Sequence, residues 1–340
     1  MDDAADIFAA PYVILGATGF GLYQLFDSQA GAFPGFFDWI ILDEASQMLM
    51  PQALLSLVYG KGQYVLCGDV QQLPPIVLGP QPAQERALRP CADAVAPAAL
   101  PAQSILAHLL ATYSPQARVR LNTTYRLNQE LCELPSQLWY QGDLHPAAAN
   151  ATRRLEVPVV QQPDLVDTIL APQHPVTLVL ADHTTDAQQS ALEVEIVATL
   201  ATRLLLDYGV AAARLAILAP HRAQNSAIAQ RLAQLLAQRG ERVTLPVIDT
   251  VERLQGAERD VVLFSVTSSD PDVLDSPFLN NPNRFNVAIT RARRKLVVVG
   301  SRAFFTQVPH TDAGLQAHYG FTAYYHRCRN QGALFDWPHI

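Results

Sequence analysis

An α/β architecture with parallel sheets, divided between two domains, is the fold the sequence predicts, and three observations predict it. Apolar runs of strand length end abruptly in polar groups, as in Trp39-Ile-Ile-Leu-Asp-Glu44 and Gln63-Tyr-Val-Leu-Cys-Gly-Asp69. Strand-like and helix-like stretches alternate through the C-terminal half, the pattern of a helix-covered parallel sheet. A chain of 340 residues with 49% hydrophobic and 16% charged content can bury a large core and exceeds one typical domain.

The elements follow in chain order. Residues 12–18 read as a short buried strand running into a Gly-Ala-Thr-Gly turn, with a helix from about Gly21 to Asp27. Trp39 to Leu42 read as a strand buried on both faces. Ligands of open α/β sheets lie outside the carboxyl ends of strands, so Asp43 and Glu44 emerge where a ligand would sit. An Asp there can hold Mg²⁺ through its waters, and an adjacent Glu can take a proton from an attacking water. Read alone, the pair is equally a strand end with solvated acids.

Pro51 to Tyr59 has helical spacing, and Gln63 to Cys67 reads as a second buried strand. It closes on Gly68-Asp-Val-Gln-Gln-Leu-Pro-Pro75, where the glycine allows a tight turn and the prolines stiffen the exit. Residues 79–103, rich in Pro, Ala and Gln, read as irregular before a helix from Gln103 to Tyr113. Val119 to Tyr125 alternates like a strand; a helix follows, and 147–174 carries no pattern. Strands are then expected at Val176–Leu180, Leu215–Ala219, Val243–Ile248, Val261–Val266 and Lys295–Val299, with helices at Ala187–Tyr208 and Ala223–Arg239.

Composition narrows the function classes. No apolar run approaches the roughly 20 residues that a bilayer needs, and the opening Met-Asp-Asp-Ala-Ala-Asp has no basic signal start, so a soluble, cytoplasmic protein without membrane contact is expected. Cys67, Cys91, Cys132 and Cys328 lie far apart, which indicates neither zinc nor a disulfide framework; Cys67 and Cys132 are expected to pack as small apolar residues. A net charge of −7 argues against simple electrostatic binding of nucleic acid and leaves a local basic cleft open.

Five stretches stand in order: Asp43-Glu-Ala-Ser46, Gly68 to Pro75, Thr124-Tyr-Arg126, Val247-Ile-Asp-Thr-Val-Glu-Arg-Leu-Gln-Gly-Ala-Glu-Arg-Asp260, and Asn286-Val-Ala-Ile-Thr-Arg-Ala-Arg293. Together they resemble the motif series of superfamily 1 helicases, in particular the branch of the nonsense-mediated-decay helicase and its DNA-processing relatives. The resemblance covers about residues 12–305. It implies two RecA-like domains of the P-loop NTPase type, 1–118 and 119–340, with ATP between them and a single strand of DNA or RNA across their top. By the same resemblance Asp43 sits on Mg²⁺, Glu44 is the general base and Gln72 senses the γ-phosphate. Arg126 and Arg291 reach the phosphates from the second domain. Gly256 lets backbone approach the nucleotide, and Glu258 accepts from its ribose. Thr18, Gln224, Thr250 and Gln255 match positions on the nucleic-acid strand. His221 stands where the family has a tyrosine. Thr250 reads equally as a plain strand residue, and for Arg294 and Lys295 a solvated helix end is the favoured reading.

The phosphate-binding loop Gly-x-x-x-x-Gly-Lys-Ser/Thr is not in the sequence: the two lysines are Lys61, in Gly-Lys-Gly-Gln, and Lys295, in Arg-Arg-Lys-Leu. The first domain is therefore expected to be incomplete and the chain inactive alone, the loop being either supplied by an N-terminal polypeptide or lost at a misassigned start. Two functions follow: the C-terminal motor portion of an ATP-dependent helicase or translocase, or a non-catalytic remnant that binds nucleic acid or a partner without turnover.

Overall fold

The computed structural model describes residues 12–27, 35–76, 103–241, 244–273 and 276–338. The chain forms two compact units, 1–119 and 120–340. The α/β class with parallel sheets is the class observed. Among the described residues no helix is long and apolar enough to cross a membrane.

The first unit contains α1 (Gly19–Asp27), β1 (Phe37–Leu42), α2 (Met50–Leu57), β2 (Gly60–Leu66) and α3 (Ile105–Thr112). The strands pair in parallel, Ile40 opposite Tyr64 and Leu42 opposite Leu66. Ile40 and Leu42 pack on Ala53 of α2 and Ile105 of α3. Ser104 starts α3 by accepting from Ala107 N (3.1 Å).

Several expectations fail here. Residues 12–18 form no strand, and Tyr12 and Ile14 are exposed. Neither β1 nor β2 is buried on both faces: Trp39 is 60% and Ile41 67% exposed. Side chains alternate between the faces of a strand, and the described helices cover only the face that carries Ile40 and Leu42. Cys67, expected inside, is exposed, whereas Cys132 and Cys328 are buried. Burial pushes the Cys132 thiol up to about 11. The irregular segment expected over 79–103 falls, but for residue 103, outside the described residues.

The second unit opens with a two-residue pairing of β3 (Thr123–Thr124) and β4 (His145–Pro146), with α4 (Gln129–Trp139) between them. The strand expected over 119–125 thus shrinks to its last third, and Val119 and Leu121 are exposed. Next come α5 (Ala148–Ala151) and α6 (Leu165–Leu170), two helices in a stretch without periodicity. What starts α6 is a reciprocal cap: Asp164 accepts from Asp167 N (2.8 Å), and Asp167 accepts from Asp164 N (3.0 Å).

The remaining elements are β5 (Val176–Ala181), α7 (Ala191–Thr202), β6 (Leu215–Leu218), α8 (Arg222–Gln238), β7 (Val247–Asp249), β8 (Arg259–Ser265), α9 (Pro282–Ile289), β9 (Ala292–Ser301), α10 (Arg302–Thr306), α11 (Asp312–Asn330) and β10 (Leu334–Asp336). They build a six-stranded, wholly parallel sheet in the order β10-β5-β9-β8-β6-β7. β5 and β6 are buried at every position, as are β8 and β9 apart from their first few residues. Such strands read as continuous apolar runs because both faces are covered, which is why the sequence located these four well. Asn128, the cap of α4, accepts from Leu131 N (2.9 Å) and donates to Arg153 O and Arg294 O, tying the helix to β9.

Lys295 corrects another expectation. It lies within β9, fully buried. Its Nζ donates to Thr177 Oγ1 (2.8 Å) and to the carbonyls of Ile169, Ala171 and His174. Two of these carbonyls belong to the end of α6, where backbone acceptors lack intrahelical partners. Burial pushes the ammonium down to about 7. Lys295→Met should keep the stem and strand the carbonyls, lowering stability by about 1–3 kcal/mol. Urea unfolding measures this, and an unchanged midpoint would contradict the assignment.

Candidate functional site

In the first unit, β1 and β2 end side by side, and backbone bonds join their exits: Cys67 N donates to Leu42 O (2.8 Å) and Ala45 N to Cys67 O (2.8 Å). A Cβ on Gly68 would stand 2.8 Å from Ser46 N, so this approach requires glycine. The result presents Asp43, Glu44 and the Asp69–Gln72 turn at one sheet edge. Asp43 Oδ1 accepts from Glu44 N (2.9 Å), and Glu44 Oε2 accepts from Gln47 Nε2 (2.9 Å). Asp69 holds Gln72 through its Nε2 (3.0 Å). Glu44 has a left-handed backbone (φ 52), a conformation that costs a non-glycine residue about 1–2 kcal/mol and gathers at functional sites. Both carboxylates are exposed. Among the described residues no group of three or more His, Cys, Asp or Glu is placed to hold a metal. One exposed carboxylate suits a largely hydrated Mg²⁺, which needs only one or two from protein. Thr18 is exposed and caps α1, its Oγ1 accepting from Gly21 N (3.0 Å).

In the second unit, three distant segments meet at the amino ends of β8 and β9. Arg126 Nε donates to Glu258 Oε2 (2.7 Å) and its Nη1 to Thr290 O (3.2 Å). Arg293 Nε takes the other oxygen of Glu258 (2.7 Å). Partial burial pushes the Glu258 carboxyl up, but Arg126 and Arg293 outweigh it and hold the group below its ordinary value. Arg291 is 1% exposed. It donates to Val287 O (3.1 Å), Thr290 Oγ1 (3.3 Å) and Ala257 O (3.5 Å). Gly256 has φ +78, a conformation that L side chains rarely adopt. Beside this group opens a polar cavity of about 610 Å³, lined by Tyr125, Arg153, Arg214, Glu258 and Arg293 among others. The grip of Arg293 on Glu258 was not foreseen from sequence; the signal was its position two residues beyond Arg291 at the start of a strand.

Gln224 and Thr250 follow the carboxyl ends of β6 and β7 of the same sheet, and Gln255 lies in the connection from β7 to β8. Gln224 is fully buried: its Oε1 accepts from Ser190 N (2.9 Å) and its Nε2 donates to Ser265 Oγ (2.9 Å). Its amide therefore works inside the unit, not at the surface where a strand would touch it. Ser265 Oγ donates to Glu193 Oε2 (2.6 Å), which also accepts from Thr267 N (2.9 Å). His183 bridges the other Glu193 oxygen (2.9 Å) to Asp186 (3.0 Å) and Ser269 (3.0 Å). Thr250 is half-buried and precedes a 3-10 turn, Val251–Leu254. Gln255 Nε2 is buried without a hydrogen-bond partner.

Two family models, both described as AAA domain, match residues 17–80 and 102–303. The DNA replication ATP-dependent helicase/nuclease DNA2 of Bos taurus is 29% identical over 80% of this chain and 25% of its own length. The regulator of nonsense transcripts 1 homolog of Arabidopsis thaliana is 28% identical over 88% of this chain and 22% of its own. The putative helicase MOV-10 of Gallus gallus is 25% identical over 90% of this chain and 33% of its own. The chain thus spans about a quarter to a third of these relatives. Among solved structures the PRRSV helicase aligns with a TM-score of 0.35 and 17% identity over 77% of this chain and 34% of that one, too distant to carry weight.

The buried network gives a pH signature. Burial by itself would lower the His183 pKa, but the hydrogen bond and charge of Glu193, with Asp186 and Asp182, raise it above 6.5. A raised histidine contributes stability that is fully present below the unfolded value and is lost as pH rises through the folded one. The thermal midpoint of the parent should therefore exceed that of His183→Gln most at pH 6 and progressively less toward pH 8. A difference independent of pH would contradict the charged pair.

Proposed function

Because the chain belongs to the AAA-domain family, in the superfamily 1 helicase branch of the regulators of nonsense transcripts, we propose that it is the C-terminal motor portion of an ATP-dependent DNA or RNA helicase or translocase. The observation that carries this reading is the meeting of Arg126 with Glu258 and Arg291, which lie more than 130 residues further along the chain, at one end of one sheet. Phosphoryl transfer places charge on equatorial oxygens, and a guanidinium fork neutralises it. Arg126 would leave Glu258 for the phosphates, while Arg293 keeps that carboxylate in place to accept from the ribose. Arg291, which donates to Val287 O, Thr290 Oγ1 and Ala257 O, would turn from these oxygens to a phosphate. Gly256 would allow backbone to approach the nucleotide. In the first unit, Asp43 would hold Mg²⁺ through water, Glu44 would take the proton of the attacking water, and Gln72 would sense the γ-phosphate. Mg²⁺ held there would supply charge neutralisation to the phosphates. The strand would run past Thr18, Thr250 and Gln255, with Gln224 positioning its surface from within.

Neither lysine can stand in for the phosphate loop, since Lys61 pairs with Asp38 (2.8 Å) and Lys295 is buried on carbonyls. We therefore assign the loop to a polypeptide segment outside 1–340. The same observation favours a second reading, a chain that binds nucleic acid or a partner without turnover.

Purified 1–340 should show no nucleic-acid-stimulated phosphate release, and a fragment bearing Gly-x-x-x-x-Gly-Lys-Thr should restore it. Release by the isolated chain that Glu44→Gln abolishes would overturn the assignment. In the reconstituted enzyme, Arg291→Ala should cut turnover on the order of 10³-fold with strand binding little changed. Loss of strand binding at near-parental turnover would instead make Arg291 a nucleic-acid contact.

A further inference from the structure

Phe278 has no part in the roles above. It stands on the turn between β8 and α9 and is 43% exposed. The turn is firmly seated. Leu279 beside it is buried, and Asn280 Nδ2 donates to Gly314 O (3.0 Å). Phe278 N donates to Ser276 Oγ (3.3 Å), and Arg284 donates to Phe278 O. A large ring kept partly in water on a pinned turn is available to a planar ligand.

Two more planar groups adjoin it. Arg284 Cζ lies over the ring at 4.2 Å from its centroid, a cation–π geometry, and Arg284 Nε donates to Glu252 (2.7 Å). The His221 ring is 5.2 Å away, tilted by 38°, with its Nε2 buried and without a hydrogen-bond partner. Burial, and then the Arg284 charge, push the His221 pKa down. The tier thereby joins two neighbourhoods. Glu252 lies in the turn that follows Thr250, and His221 is the residue before α8, whose first turn carries Gln224. No side chain caps the N-terminus of α8, which leaves backbone N–H groups beside the tier.

We propose that Phe278, backed by Arg284 and His221, is a stacking platform for an unpaired base of the single strand, which rests on the nucleic-acid reading above. A backed π-face accepts any base, as a motor that steps along arbitrary sequence requires, and the adjoining guanidinium and helix N-terminus favour the flanking phosphates.

The test is fluorescence anisotropy of purified 1–340 with labelled oligothymidylate of about 12 nucleotides and with an abasic oligomer of equal length. The parent should prefer the base-bearing oligomer. Phe278→Ala should lower that affinity about 5- to 100-fold with little change toward the abasic oligomer, and Phe278→Trp should retain parental affinity. If Phe278→Ala binds both oligomers as the parent does, or weakens both equally, the platform is wrong and the nucleic-acid reading stands. A parent that binds neither oligomer overturns both.

Discussion

Strands buried on both faces leave little place for polar side chains in the middle of the second unit's sheet, where Thr177 and Lys295 are held by each other and by the carbonyls at the end of α6. From Val261 to Phe264 every β8 side chain is apolar and inside, and β9 matches it from Leu296 to Val299. An unpaired polar group there would cost several kcal/mol, on the order of 2–7. The polar residues are therefore driven to the two strand ends, roughly 20 Å apart for a seven-residue strand. Arg126, Glu258 and Arg293 gather at the start of β8; Ser265, Glu193, His183 and Gln224 gather at its finish. One strand thus carries two chemically separate layers, and the proposed division of labour follows from that separation.

Each layer answers the burial problem in its own way. At the amino end the charges are only partly buried and lie beside a polar cavity, so Arg126 can exchange one anionic partner for another. At the carboxyl end Glu193 has no exposed surface and is held by a hydroxyl, a backbone N–H and an imidazole. Such a saturated network fixes positions and does not exchange partners. That difference explains why Gln224 is fully enclosed, while Phe278 keeps part of its ring in water.

Much of this was legible in the sequence, and the rest was not for identifiable reasons. Apolar runs located β5, β6, β8 and β9 within a few residues, and the motif order brought Arg126, Gly256, Glu258 and Arg291 to one place. The run Phe-Asp-Trp-Ile-Ile-Leu of β1 looks buried on both faces, yet one face stays open because burial depends on what packs above a strand and not on the strand itself. Lys295 read as solvated because a charged run resembles a helix end; only the fold brings the end of α6 to its ammonium. Gln224 matched a strand-contacting pattern, but burial depends on Ser190 and Ser265, which lie 34 and 41 residues away in the chain.

The claim that one sheet end handles nucleotide and the other handles nucleic acid is tested most directly through Glu258→Gln. In enzyme reconstituted with a phosphate-loop fragment, KM for ATP and Kd for single-stranded DNA in the absence of nucleotide would be measured on the same preparation. Loss of a charged hydrogen-bond acceptor predicts a KM raised about tenfold or more with strand Kd within about twofold. A strand Kd that weakens as much as KM, or a KM that does not move, would contradict the separation.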